Sequence, residues 1–174
     1  MMDDEWFLQM YSGWRIRCNY EGYKDFAKLY GTHTQTHKDS GGANMYYMDD
    51  FAWPFEDTSY LDYIVGHINL PIQNIKFEKC WWIDYQKESY SGVHRHQPGL
   101  QFTSVLFLNT YEYNEDWPQA GNLFLVHDKF GCEYIPPTAG DLIIMDGTVW
   151  HGTAPTKNER KVLVCDFSYE IGEV

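Results

Sequence analysis

The chain has 174 residues, 44% of them hydrophobic and 22% charged, which bounds it to a globular protein of one domain, 1–174, with a full core. Its 13 basic and 25 acidic side chains leave a formal charge of −12, and an acidic surface repels phosphate backbones, so nucleic acid is a poor partner. The four cysteines form no CxxC pair, Met1-Met2-Asp3-Asp4-Glu5 carries no apolar run, and no stretch approaches the ~20 apolar residues of a membrane span; the chain therefore reads as soluble and cytoplasmic, without a cysteine zinc site, secretory signal or membrane anchor.

The pattern changes near residue 75, from helical and irregular over 1–74 to strands over 75–170. Trp6 to Cys18 mixes aromatics and charges and reads as one or two short strands. Glu21 to Leu29 reads as a helix with Gly31 as its stop. His33 to Asn44, with Gly41-Gly42, reads as a loop, Met45 to Met48 as a strand, and Asp50 to Glu56, with Trp53-Pro54, as a turn or extended segment. Asp57-Thr58-Ser59 offers helix caps. Leu61, Ile64, Val65 and Ile68 follow at helical spacing, and Pro71 ends the helix.

From Ile75 the period falls to two, which predicts one strand face carrying Ile75, Phe77, Trp81, Ile83 and Tyr85. Further strands are predicted at Phe102 to Leu108, Asn122 to Val126, Glu133 to Ile135, Asp141 to Met145, Val149 to Gly152 and Val162 to Tyr169. Turn signals separate them, among them Asp128-Lys129-Phe130-Gly131 and Pro136 to Gly140. So many short strands with such turns indicate a mainly β protein, a sandwich or barrel-like jelly roll with about two N-terminal helices packed outside.

The chemistry-bearing residues fall within this β region. His94 and His96 flank Arg95, and in a strand residues i and i+2 share a face, so both imidazoles reach one point, as a metal requires. His151 follows 57 residues after His94, and Arg160 nine residues after that. His33, His37, His67 and His127 read as surface or internally satisfied histidines.

Taken in order, the parts are Trp82 and Tyr85, Tyr90 and Gly92, the His94-Arg95-His96 pair, Thr103 to Asn109, Ala120 to Leu125, Pro137 to Gly147, His151-Gly152-Thr153-Ala154-Pro155 and Arg160. This order resembles the Fe(II)/2-oxoglutarate-dependent oxygenases, closest to small members with His-x-His in place of His-x-Asp, and covers about Ile75 to Tyr169. The resemblance implies a double-stranded β-helix, a cupin-like barrel. It implies an enzyme that uses Fe(II), 2-oxoglutarate and O₂ to hydroxylate a small-molecule, peptide or protein substrate, releasing succinate and CO₂. It makes His94 and His151 metal ligands and places His96 where the family's carboxylate stands. Arg160 is implied to hold the far carboxylate of 2-oxoglutarate, helped by Tyr85 and, more weakly, by Asn122 and Asn109.

Lys161 is the alternative to Arg160. Strand alternation decides between them, because Arg160, Val162, Val164 and Asp166 share one face and Lys161, Leu163, Cys165 and Phe167 the other. The family's small hydroxyl residue two after the Arg is Val162 here. His96 argues against halogenation, which needs a small residue at that position; if His96 faces away, Asp84 or Glu88 supplies the oxygen ligand, and a catalytically silent member is a further reading. Tyr90, Gln101 and Trp150 lie near the expected mouth as substrate contacts. The rival readings are a cupin-type metal dioxygenase or isomerase, with Gln101 as fourth ligand and no use for 2-oxoglutarate, and a non-catalytic jelly-roll binding protein. Neither accounts for an Arg nine residues past the distal His. Trp6 to Trp14 and Tyr46 to Phe55 are candidates for a dimer surface or a lid, and the oligomeric state is not legible.

Overall fold

The computed structural model describes residues 6–10, 13–29, 37–38, 41–47, 59–96, 101–127 and 131–172. The strands are β1 (Trp6–Met10), β2 (Gly13–Asn19), β3 (His37–Lys38), β4 (Asn44–Tyr47), β5 (Ile72–Tyr85), β6 (Ser91–His94), β7 (Gln101–Phe107), β8 (Leu123–His127), β9 (Gly131–Ile135), β10 (Asp141–Asp146), β11 (His151–Thr153) and β12 (Arg160–Ile171). The helices are α1 (Tyr23–Leu29) and α2 (Ser59–His67). They build a large antiparallel sheet in the order β1-β2-β10-β7-β12-β5-β4-β3 and a small one in the order β6-β11-β8-β9. From β5 onward the chain passes back and forth between the sheets, and β12 closes the fold by inserting between β5 and β7. This is a double-stranded β-helix.

Strand alternation produces two cores. On β12, Val162 and Val164 point between the sheets, where they meet Trp81 and Ile83 of β5, Val105 and Phe107 of β7, Ile143 of β10 and Leu125 of β8. Leu163, Cys165 and Phe167 point the other way, into a second core shared with Phe26 of α1 and Tyr60 and Ile64 of α2. Burial on both faces explains why Leu142-Ile143-Ile144-Met145 is an unbroken apolar run. The Tyr60 hydroxyl donates to Ser104 Oγ at 3.1 Å and pins α2 to β7. The buried stripe of α2 runs through Tyr60 and Ile64 and continues to Ile68 just past its end, while Leu61 and Val65 are half-buried at its margin.

Three expectations need correction. The division near residue 75 is not one between helical or irregular and stranded chain: β1, β2 and β4 lie at the strands predicted for Trp6 to Cys18 and Met45 to Met48, and with β3 they extend the large sheet, β1 and β2 beside β10 and β3 and β4 beside β5. In β2, Trp14 and Ile16 enter the helix-covered core while Arg15, itself buried, reaches across to Glu133 of β9 at 3.0 Å, so the charge that masked the period sits on the face turned toward the small sheet. His37–Lys38, within the predicted loop, pairs with β4.

The third correction concerns β5, whose residues do not share one face throughout. Opposite β12 the register skips Glu78, passing from Lys79↔Asp166 to Phe77↔Phe167, which is a β-bulge. The extra residue inverts the alternation. Ile75 and Phe77 pack on the helix-covered core, and Trp81, Ile83 and Tyr85 pack between the sheets.

The Gly31 stop, the Asp50 to Glu56 segment, the Asp57-Thr58 caps and the Asp128 to Phe130 turn lie outside the described residues. Among the described residues no helix is long and apolar enough to cross a membrane.

Candidate metal centre

His94 ends β6 and His151 opens β11, and the two are direct cross-strand partners. Their rings lie 4.4 Å apart between centroids. His96 follows the end of β6, its ring 5.6 Å from His94 and 5.2 Å from His151. One nitrogen from each of the three lies within 4.8 Å of the others, a spacing that suits a shared ion.

In each ring Nδ1 is already engaged. His94 Nδ1 donates to the Gly92 carbonyl at 2.8 Å, and His151 Nδ1 donates to the Val149 carbonyl at 2.9 Å. His96 Nδ1 donates to Asp166 Oδ1 at 2.7 Å. These bonds fix the tautomers and leave the three Nε2 atoms as the free lone pairs. Burial, reinforced by His94 and His96, lowers the His151 pKa to about 3, so it stays neutral, the form that binds a metal. Trp81 stacks on His96 at 5.9 Å with an interplanar angle of 19° and limits its rotation.

Asp166 is buried and held from three sides. Oδ1 accepts from His96 and from the Thr103 hydroxyl, each at 2.7 Å, and Oδ2 lies 3.3 Å from Lys79 Nζ. Burial alone raises its pKa, but these partners more than offset that, and it sits below the ordinary carboxylate value.

A cavity of roughly 660 Å³ reaches from the histidines to Arg160. Arg160 is 1% exposed, and its guanidinium lies 4.8 Å from the Tyr85 ring centre and 4.9 Å from that of Phe107. Nη1 donates to Thr153 Oγ1 at 2.7 Å, Thr153 donates to the Tyr85 hydroxyl at 3.1 Å, and that hydroxyl bonds Ser91 Oγ at 2.8 Å. The Nε atom has no hydrogen-bond partner among the described residues. Burial lowers the Arg160 pKa to about 10, which still leaves it charged at neutral pH. A buried cation with an orphaned donor is costly unless an anion joins it.

Strand alternation puts Arg160 in the cavity and Lys161 on the opposite face, where its Nζ lies 3.4 Å from Glu159. Tyr85 and Gln101 line the cavity. Asn122 does not: its amide donates to the Pro118 carbonyl at 3.5 Å. Asn109 instead ties the end of β7 to β12, accepting from Lys161 N at 2.7 Å and donating to the Glu159 carbonyl at 3.0 Å. Tyr90 and Trp150 are exposed and outside the cavity lining, and the Arg95 guanidinium covers the Trp150 ring at 5.0 Å. Neither Asp84 nor Glu88 joins the histidines.

Sequence reasoning missed Thr153, Ser91, Thr103 and Asp166 as parts of the site. Asp166 was within reach: a carboxylate on the interior face of the strand that opens with Arg160 has to be satisfied by something in the barrel.

No family model and no curated protein matches this chain. Solved structures do. A Pseudomonas putida prolyl-4-hydroxylase superposes with a TM-score of 0.65 at 16% identity, over 90% of this chain and 92% of that one. A 2OG-Fe(II) oxygenase family oxidoreductase from Burkholderia pseudomallei gives 0.66 at 15% identity, over 91% and 85%. HygX from Streptomyces hygroscopicus, with nickel and 2-oxoglutarate bound, gives 0.66 at 10% identity, over 88% and 82%. The chain has the fold of the Fe(II)/2-oxoglutarate oxygenases.

Proposed function

We propose that the chain is an Fe(II)/2-oxoglutarate-dependent oxygenase, most simply a hydroxylase, that acts on a small-molecule, peptide or protein substrate. One observation carries this reading: a buried guanidinium whose Nε has no hydrogen-bond partner among the described residues shares a cavity with three histidines whose Nδ1 atoms are all engaged, which leaves Nε2 to face a metal. A metal-binding jelly roll with no anionic cosubstrate has no use for that arginine.

The donor set fits iron. Three imidazoles on one side suit a divalent first-row ion and leave positions open for cosubstrate and O₂. Iron bound there supplies O₂ activation coupled to decarboxylation of 2-oxoglutarate, giving succinate and CO₂. The chain's own residues do the rest. His151 binds without first losing a proton. Arg160 offers charge-assisted donors to the far carboxylate of 2-oxoglutarate, with the Thr153 and Tyr85 hydroxyls beside it. Ile83, Val105, Leu123, Val162 and Val164 line the cavity with apolar surface that excludes water. His94 is exposed and His151 buried, so substrate approaches from the His94 side.

The test is an anaerobic titration of the Fe(II)-loaded protein with 2-oxoglutarate, read as the metal-to-ligand charge-transfer band, followed by succinate analysis after O₂ is admitted. A band and succinate are expected. Iron binding with no band marks a cupin-type centre, and no metal binding marks a non-catalytic jelly roll.

A further inference from the structure

The three histidines are not equivalent. His94 and His151 give their Nδ1 protons to backbone carbonyls, which are neutral acceptors. His96, at the position where the family resemblance implies a carboxylate ligand, gives its proton to a carboxylate, Asp166, at 2.7 Å. That carboxylate is buried and oriented: Thr103 donates to the same Oδ1 at 2.7 Å. A bond to Lys79 alone does not explain it, because the Lys79 side chain is 52% exposed and reaches only the other oxygen, at 3.3 Å.

Resting on the oxygenase reading, we propose that Asp166 is a positioning residue that supplies, through His96, the negative charge three neutral imidazoles lack. A carboxylate hydrogen-bonded to the far nitrogen of a ligating imidazole makes that imidazole a stronger donor and fixes its ring. His96 and Asp166 together then do the work of one carboxylate ligand, placed one imidazole further from the metal. Thr103 aims the carboxylate, and Lys79 moderates it.

The test compares wild type with Asp166→Asn, which keeps the shape and an acceptor oxygen but removes the charge. Co(II) affinity is measured anaerobically by chelator competition, and the Fe(III)/Fe(II) potential by redox titration. Asp166→Asn is expected to weaken Co(II) binding by about 10- to 100-fold and to raise the potential. A purely structural role would lower thermal stability and leave the potential unmoved. Lys79→Met provides a second variant at a half-exposed position should Asp166→Asn fail to fold. Releasing the carboxylate from its cation is expected to tighten Co(II) binding by about threefold, and an unchanged affinity counts against the proposal. Wild-type binding with unaltered affinity and potential in Asp166→Asn overturns the role of Asp166 alone. A wild-type chain that binds no metal overturns the oxygenase reading as well.

Discussion

Arg160 Nη1 donates to Thr153 Oγ1 over 2.7 Å, and Thr153 lies on the same three-residue strand as His151. One short strand therefore connects the cationic end of the cavity to the metal end. Thr153 also offers a hydroxyl beside the guanidinium, the group that Val162 cannot provide. Arg160→Ala is expected to weaken 2-oxoglutarate binding by about 100-fold, the loss of two charge-assisted bonds, while Co(II) affinity changes little. Thr153→Val is expected to cost about tenfold. Calorimetric titration of the metal-loaded protein checks both, and a Thr153→Val variant with unchanged affinity would remove Thr153 from the cosubstrate site.

The β-bulge at Glu78 makes a different kind of prediction. Glu78→Ala keeps the residue count and is expected to change stability by no more than about 1 kcal/mol. Deleting Glu78 removes the register shift and turns residues 72–77 over, so that Ile75 and Phe77 leave the helix-covered core. That deletion is expected to abolish cooperative unfolding or to cost more than about 4 kcal/mol in a urea titration. A mild effect would mean that the bulge migrates freely along β5.

The docked face of α2 distinguishes two neighbouring residues. Ile64 is fully buried and Val65 half-buried. Ile64→Ala is expected to cost about 2–5 kcal/mol and Val65→Ala about 1 kcal/mol or less. Equal losses in chemical denaturation would place the helix in a different rotation.

Stability should depend on pH through His151. Its native pKa is about 3 against an ordinary value of 6.5, so the unfolded chain takes up a proton that the native site refuses. The contribution is therefore complete above about pH 6.5 and is lost as pH falls toward 3, in the direction opposite to that for a raised pKa. Between about pH 7.5 and 5.5 the metal-free protein is expected to lose about 1.4 kcal/mol from this residue. The measurement is urea unfolding at both pH values in wild type and His151→Gln, and an equal pH slope in the two would sink the assignment.

How much was legible in advance follows from the range of each interaction. The jelly-roll class depends on the number of short apolar strands and the turns between them, and the opposite facing of Arg160 and Lys161 on side-chain alternation along a single strand, a property of the local backbone. The chain itself determines these features, because strand geometry repeats every two residues whatever lies beside it. The buried runs Phe102 to Phe107 and Leu142 to Met145 were readable for the same reason.

What the tertiary structure decided depends on which strands become neighbours. Asp166 meets His96 across 70 residues, and Glu133 meets Arg15 across 118. No local period encodes such pairings; they arise when β12 inserts between β5 and β7 and when the small sheet closes over the large one. The inversion at Glu78 and the recruitment of β1 to β4 into the large sheet have the same origin, since edge strands and bulges are settled by the partners the edges find. His96 shows the division most clearly. Its closeness to His94 in the chain follows from the amino-acid order alone, whereas its approach to His151 from beyond the end of β6 and the carboxylate behind it, with the role we assign to it, follow only from the fold.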